Sequence, residues 1–337
     1  MAGPTNLTPC NIFSLQSMSM LQVKGVVKEL QGVKVVDDVS FAQEYKQKLA
    51  IAGETGSGKS TLLKMICGWV QPDAGEMLLD GERIIGPEDQ LLPVHPLIGY
   101  LSQHFELRNH YRVHELLEMA VQIEQEAADK IFEVCRISHL LRRRTDQLSG
   151  GEKQRIATAR LLIAAPKLLL LDEPYSNLDM VHRNILKDVI NDIGDQLNIT
   201  CLLISHDPVD ILSWADRILV MKAGKIIQEG TPLSMYCMPQ DEYVAGLFGK
   251  YTNLSPRQQQ LFYNHSSQQP NDTSIFVRPE QFSIHHNQQG VPGKILRIGF
   301  LGSSYDVDIL IDDFVVTMKV LSLNLQVGDT VFVQLNS

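Results

Sequence analysis

Leu49-Ala50-Ile51-Ala52-Gly53-Glu54-Thr55-Gly56-Ser57-Gly58-Lys59-Ser60-Thr61-Leu62-Leu63 decides how this chain is read. An apolar run, a glycine-rich turn and a second apolar stretch follow one another, the order of a buried strand, a tight loop and a helix. In that setting the G-x-x-x-x-G-K-S pattern from Gly53 to Ser60 is a phosphate-binding loop. Its glycines let backbone N–H groups curl around an anion, and the helix N-terminus adds partial positive charge. The stretch from Gly53 through Glu54, Thr55, Gly56, Ser57, Gly58, Lys59 and Ser60 to Thr61 is therefore the nucleotide-contacting set. Lys59 suits the β- and γ-phosphates, and the Ser60 hydroxyl suits Mg²⁺.

Working outward, Leu21 to Val27 and Lys34 to Phe41 alternate as an antiparallel pair leading into that strand. Downstream, Pro72 to Gly75 is a turn, Glu76 to Asp80 a short strand and Ile98 to Ser102 another. From Val113 to Arg144 the period becomes helical, which predicts a helical subdomain over residues 104–165. Leu168 to Leu171 and Cys201 to Ser205 are unbroken apolar runs, the mark of parallel strands covered on both faces. These elements predict one α/β domain over residues 21–250. Residues 251–274, rich in Gln, Asn and Ser, read as a linker. Residues 275–337 hold only short, closely spaced strands, the pattern of a small barrel. Residues 1–20 read as a disordered extension. Translation from Met18 or Met20 is the simpler expectation, since strand pattern begins at Leu21.

The 337 residues exceed one ordinary core, and 44% hydrophobic with 20% charged residues describe a globular chain. A net charge of -9 gives no basic footprint, so nucleic acid is not expected as a partner. The five cysteines include no C-x-x-C pair and suggest neither a disulfide frame nor a zinc site. His285-His286 reads as a polar turn. No apolar run reaches the roughly 18 residues that span a bilayer, and residues 1–20 lack the regions of a signal peptide.

Four further motifs follow the phosphate loop in order. Gln103 ends the strand Ile98 to Ser102, and Leu148-Ser149-Gly150-Gly151-Glu152-Lys153-Gln154-Arg155 opens a helix. Leu168 to Leu171 ends in Asp172-Glu173-Pro174, followed by Ser176-Asn177-Leu178-Asp179, and Ile204-Ser205-His206-Asp207 ends the last core strand. Carboxylates at the C-terminal end of a buried strand sit where open α/β sheets bind ligands. Phosphoryl transfer needs a cation, a lysine, a water-orienting group and amide donors, and this set contains them.

From Leu21 to about Gly249 the chain resembles the ATP-binding cassette (ABC) ATPases. The resemblance implies a P-loop core with antiparallel β and helical subdomains, hydrolysing ATP with Mg²⁺. It gives Ser60, Gln103 and Asp172 to the metal, Glu173 to the attacking water, His206 to the γ-phosphate, and Gln103 also to contact with a transmembrane partner. Ser149, Gly150, Gly151 and Glu152 form the signature, a second anion site at a helix start. The family pairs two chains head to tail, so that this signature meets the ATP on the other chain's phosphate loop, and Asp179 lies in the loop crossing that interface. Glu152 stands where the family usually has Gln. Leu30 stands where it has an aromatic ring under the base.

Val277-Arg278-Pro279-Glu280, Gly299-Phe300-Leu301-Gly302-Ser303 and Gln326-Val327-Gly328-Asp329 resemble the OB-like TOBE domain of importer ATPases. The implied function is the ATPase subunit of an ABC importer. It would sit peripherally on the cytoplasmic face of the membrane as a homodimer or paired cassette, with integral-membrane permease subunits and, indirectly, an extracytoplasmic substrate-binding protein. The alternatives are a non-transport ABC ATPase, which commonly carries two cassettes, a coiled-coil insertion or basic arms, and a ligand-sensing regulatory ATPase. Intact Lys59, Glu173 and His206 argue against the latter.

Overall fold

The computed structural model describes residues 19–88, 95–102, 107, 110–120, 123–176, 178–263, 271–285, 290–322 and 324–336. Residues 1–18 of the expected extension, Gln103, Asn177, residues 264–270 of the expected linker and His286 lie outside the described residues.

β1 (Ser19–Leu30) and β2 (Val33–Glu44) pair antiparallel up to a tip where Leu30 faces Val33. β3 (Lys48–Ala52) then runs through the glycine loop into α1 (Lys59–Ile66). β4 (Ala74–Leu79) and β5 (Glu82–Arg83) complete an antiparallel sheet in the order β2-β1-β4-β5. After β6 (Ile98–Leu101) come α2 (Val113–Glu118), α3 (Gln125–Val134) and α4 (Gly150–Ile163). The helical pattern of residues 113–144 is thus two helices and a 3₁₀ turn at Ser138–Leu140.

β7 (Leu168–Asp172), α5 (Met180–Leu197), β8 (Thr200–Ile204), α6 (Pro208–Leu212), β9 (Arg217–Lys222) and β10 (Lys225–Gly230) finish a six-stranded sheet in the order β10-β9-β3-β8-β7-β6. The neighbours β3-β8-β7-β6 are parallel. Every residue of β7 and β8 is buried, which is why their sequences are continuous apolar runs. Asp172 lies opposite Ile204 at the C-terminal end of this pair. Among the described residues no helix is long and apolar enough to cross a membrane. The described cysteines are free, and burial pushes the thiols of Cys67, Cys135 and Cys201 up to about 12.

The described chain divides into two compact units. One takes the residues within Met1–Ile51, Thr55–Ile204 and Met221–Ile226, the other Ala52–Glu54, Ser205–Val220 and Ile227–Ser337. In the second unit, α7 (Pro232–Cys237) and α8 (Glu242–Leu247) start on Thr231 and Asp241, whose side chains accept backbone N–H groups three residues on. β11 (Thr252–Leu254), α9 (Pro256–Tyr263) and β12 (Ile275–Val277) follow.

These elements correct the expectation of a linker over residues 251–274. β11 pairs antiparallel with β12, and Phe262 of α9 joins the core. Gln259 is fully buried. Its amide donates to the carbonyls of Leu254 at 3.0 Å and Thr273 at 2.8 Å and accepts the Asn271 N–H at 2.9 Å. Polar composition misleads here because a glutamine with every hydrogen bond satisfied can be core.

Arg278, 1% exposed, donates to the carbonyls of Tyr236, Ala245, Gly249 and Lys250 at 2.9–3.1 Å and lies 4.3 Å over the Tyr236 ring. Its motif therefore ties β12 to α7 and α8. β13 (Phe282–His285), β14 (Val291–Phe300), β15 (Tyr305–Ile311), β16 (Phe314–Val320) and β17 (Thr330–Leu335) form an antiparallel sheet in the order β13-β17-β14-β15-β16. Its buried face carries Val307, Ile309, Val316, Met318 and Val333.

Candidate active site

The phosphate loop owes its course to glycine. Gly58, the N-cap of α1, has φ 100°. A Cβ there would stand 2.1 Å from the carbonyl oxygen of Val35 on β2. No side chain caps α1 at Gly58, and a helix N-terminus presents its N–H groups and dipole to an anion. Lys59 is 5% exposed, and its Nζ donates to Ser57 Oγ at 3.2 Å. Before the turn, the Glu54 N–H donates to the Tyr243 hydroxyl at 2.9 Å.

Asp172 is held through both oxygens. Ser60 Oγ donates to Oδ1 at 3.0 Å and the Tyr100 hydroxyl to Oδ2 at 2.7 Å. Burial, then the hydrogen bond to Asp172, pushes the Tyr100 phenol above its ordinary range, so it stays a donor. The Trp69 ring lies against it, centroids 4.6 Å apart. One hydroxyl and one carboxylate are hard oxygen donors, a set that fits Mg²⁺ completed by phosphate oxygens and water. Among the described residues no group of three or more His, Cys, Asp or Glu could hold a metal alone.

At Glu173 the chain leaves β7 in the left-handed region, φ 48°. The Glu173 N–H donates to Ile204 O at 3.0 Å, and its carbonyl accepts the N–H and hydroxyl of Ser176. Gln154 of α4, 3% exposed, donates to the Pro174 carbonyl and holds this turn. His206 follows β8 and is exposed, while Ser205 Oγ beside it donates to Asp210 at 3.1 Å.

The signature residues gather at a second cluster with Asp179. Ser149 caps α4, its Oγ accepting the Glu152 N–H at 3.3 Å while Glu152 accepts the Ser149 N–H at 2.8 Å. Burial pushes the Glu152 carboxyl up, but the Ser149 hydrogen bonds and Arg143 outweigh it and hold it low. Asp179 caps α5 by accepting the His182 N–H at 3.0 Å. A Cβ on Gly151 would meet the His182 ring at 2.5 Å, so the imidazole sits directly against the signature helix.

Three comparisons bear on this geometry. Residues 36–176 match the ABC transporter family model. The sulfate/thiosulfate import ATP-binding protein CysA of Synechocystis is 30% identical over 93% of this chain and 92% of its own length. FbpC 2 of Rhodococcus jostii, an Fe(3+) ions import ATP-binding protein, is 34% identical over 87% and 88%. The chain belongs to the ABC transporter ATP-binding protein family. Solved ABC structures agree in fold: cbiO1 of Clostridium perfringens, part of the cbiONQ complex, superposes with a TM-score of 0.59 at 25% identity. It covers 65% of this chain and 91% of that one. An ATP-binding cassette in its ADP conformation gives 0.58 at 25% identity, over 69% and 99%.

This ABC protein is accordingly an ATPase, with the α/β cassette fold and an all-β C-terminal region. Gly58, Lys59, Ser60 and Asp172 come together in its first unit, as do the signature, Asp179 and His182. Sequence reasoning missed Tyr100, Gln154 and His182. Tyr100 and Gln154 lie inside quoted motifs, but their partners Asp172 and Pro174 are distant in sequence, so no local signal marks them. His182 lies three residues past Asp179, the helical spacing that closes a cap.

Proposed function

We propose that this ABC ATPase is the energy-supplying subunit of an importer, working as a pair of identical chains held peripherally on the cytoplasmic face of a membrane by a separate permease. An extracytoplasmic binding protein would deliver cargo to that permease. The observation that carries this reading is the reach of the similarity. Import ATP-binding proteins match 93% and 87% of the chain, so the likeness continues past the cassette into the C-terminal sheet. That sheet is then a TOBE-like regulatory domain. In the first unit an apolar groove of about 380 Å³, lined by Leu101, Leu107, Ala120, Ala157 and Leu161, supports permease docking.

In this reading Ser60, Asp172 and Gln103 would hold Mg²⁺, which would supply charge neutralisation to the transferring phosphoryl group. Tyr100 keeps the Asp172 carboxylate aimed. Lys59 and the N–H groups of α1 bind the phosphates, Glu173 orients the attacking water and takes its proton, and His206 meets the γ-phosphate. Ser149, Gly150 and Gly151 of the second chain close the site. Because Glu152 is engaged in its own helix cap, its charge is already countered before nucleotide arrives. Purifying the tagged protein from membranes tests the reading: two integral-membrane subunits should accompany it, and recovery without any membrane protein would overturn it.

Leu30, 48% exposed at the β1–β2 tip beside Val33, is the expected base contact. Asp73 braces that tip by accepting the Glu29 N–H at 2.6 Å and pairing with Lys28 at 2.7 Å. An aromatic ring stacked on a base contributes about 1–3 kcal/mol, and about 1.4 kcal/mol is tenfold in affinity. Leu30→Tyr should therefore lower KM for ATP about tenfold with kcat unchanged, because the base is bound equally in ground and transition states. An unchanged KM across ATP, GTP and CTP would remove Leu30 from the base site.

A further inference from the structure

The imidazole of His182 bridges the signature serine and the interface loop. Nδ1 lies 2.6 Å from Asp179 Oδ2, and Nε2 lies 3.2 Å from Ser149 Oγ. Hydrogen-bond first principles assign the protons. The Asp179 carboxylate can only accept, and hydrogen bonds from the backbone N–H and side chain of His182 hold it below the ordinary carboxylate range, so Nδ1 carries a hydrogen. In the neutral ring Nε2 is then an acceptor, and the Ser149 hydroxyl gives it its single proton. Ser149 Oγ also accepts the Glu152 N–H, and the Glu152 carboxylate lies within hydrogen-bond reach of the same hydroxyl as the competing acceptor for its one hydrogen. In this state the hydroxyl has no hydrogen left for an anion.

We propose that His182 is a positioning residue that sets the direction of the Ser149 hydroxyl proton, so that engagement of a γ-phosphate by the signature takes up one proton at His182. The inference rests on the proposed pairing of chains across the signature. When Nε2 gains a proton from solvent, it donates to Ser149 Oγ. That oxygen then accepts from both His182 and the Glu152 N–H, and its own hydrogen turns to a phosphate oxygen, or to the Glu152 carboxylate when no anion is present. The charged groups around the ring are Asp179 and Arg183 on its own helix and, at the start of α4, Glu152 with Arg143 at 3.7 Å and Arg155 one turn on. From the α3 end, Arg136 pairs with Asp188 and Asp192 further along α5.

Binding coupled to uptake of one proton weakens as pH rises, by up to about tenfold per unit. ATP-driven association is measured in the hydrolysis-blocked Glu173→Gln protein at pH 6 and pH 8, with His182 intact, His182→Leu and His182→Gln. The intact protein should lose at least about fivefold more affinity between those pH values than the His182→Leu form. Groups common to both proteins, the γ-phosphate of ATP included, cancel in the comparison. The amide of His182→Gln reaches the same distance as Nε2 and donates without titrating, so this form should associate tightly at both pH values. Loss of packing alone would shift the two pH values together, and thermal melting verifies that each variant is folded. Equal pH dependence in the intact and His182→Leu proteins would overturn the inference. Ser149→Ala separates this from failure of the underlying reading: if that variant associates as tightly as its parent, signature engagement itself is refuted.

Discussion

Replacing Glu173 with Gln is expected to lower ATP turnover by about 10²–10⁴-fold, the contribution of a positioned general base, and to leave ATP binding intact. The substitution keeps the volume and one acceptor oxygen but not the ability to take a proton. The turn that carries it is held through the backbone: the Glu173 N–H donates to Ile204 and its carbonyl accepts from Ser176. The side chain can therefore change without moving the chain. An ATP-bound dimer should accumulate, visible by size-exclusion chromatography with Mg·ATP. Lys59→Ala should fail differently, losing about 1.5–3 kcal/mol of charged hydrogen bonding to phosphate and so weakening ATP binding about tenfold or more. A Glu173→Gln protein that hydrolyses at the parental rate would take Glu173 out of catalysis, and one that stays monomeric at saturating ATP would sink the paired site.

The second large effect is on stability. Gly58→Ala should destabilise the nucleotide-free protein by about 3 kcal/mol or more, lowering Tm by roughly 5–10 °C. Two costs combine there. A side chain at φ 100° is strained, and its Cβ would meet the Val35 carbonyl oxygen at 2.1 Å. That carbonyl belongs to β2, between Lys34 and Val36, which both pair with β1, so the loop has to move instead and the phosphate cradle opens. Gly56→Ala is the control. At φ 86° with no atom within 4 Å of its Cβ, it bears only the conformational term of about 1–2 kcal/mol. Equal melting temperatures for the two variants would show that the approach of Val35 is not what selects glycine.

Local patterns carried much of this protein. The strand–glycine loop–helix order at residues 49–63, the unbroken leucines of β7 and the alternating short strands after Ile275 each follow from backbone period and turn chemistry within one window of sequence. The start of α4 at Ser149-Gly150-Gly151 was legible for the same reason, since a cap needs a partner only three residues away. Tertiary structure decided what depended on groups far apart in the chain. Tyr100 reaches Asp172 because β6 and β7 are parallel neighbours in register. Residues 256–263 are a helix because Gln259 finds the carbonyls of Leu254 and Thr273. His182 lies against Ser149 because α4 and α5 pack together and Gly151 leaves room for the ring. In each case the residue type alone is ambiguous: a tyrosine, a glutamine or a histidine is core, surface or machinery according to which hydrogen-bonding partner the fold brings within about 3 Å.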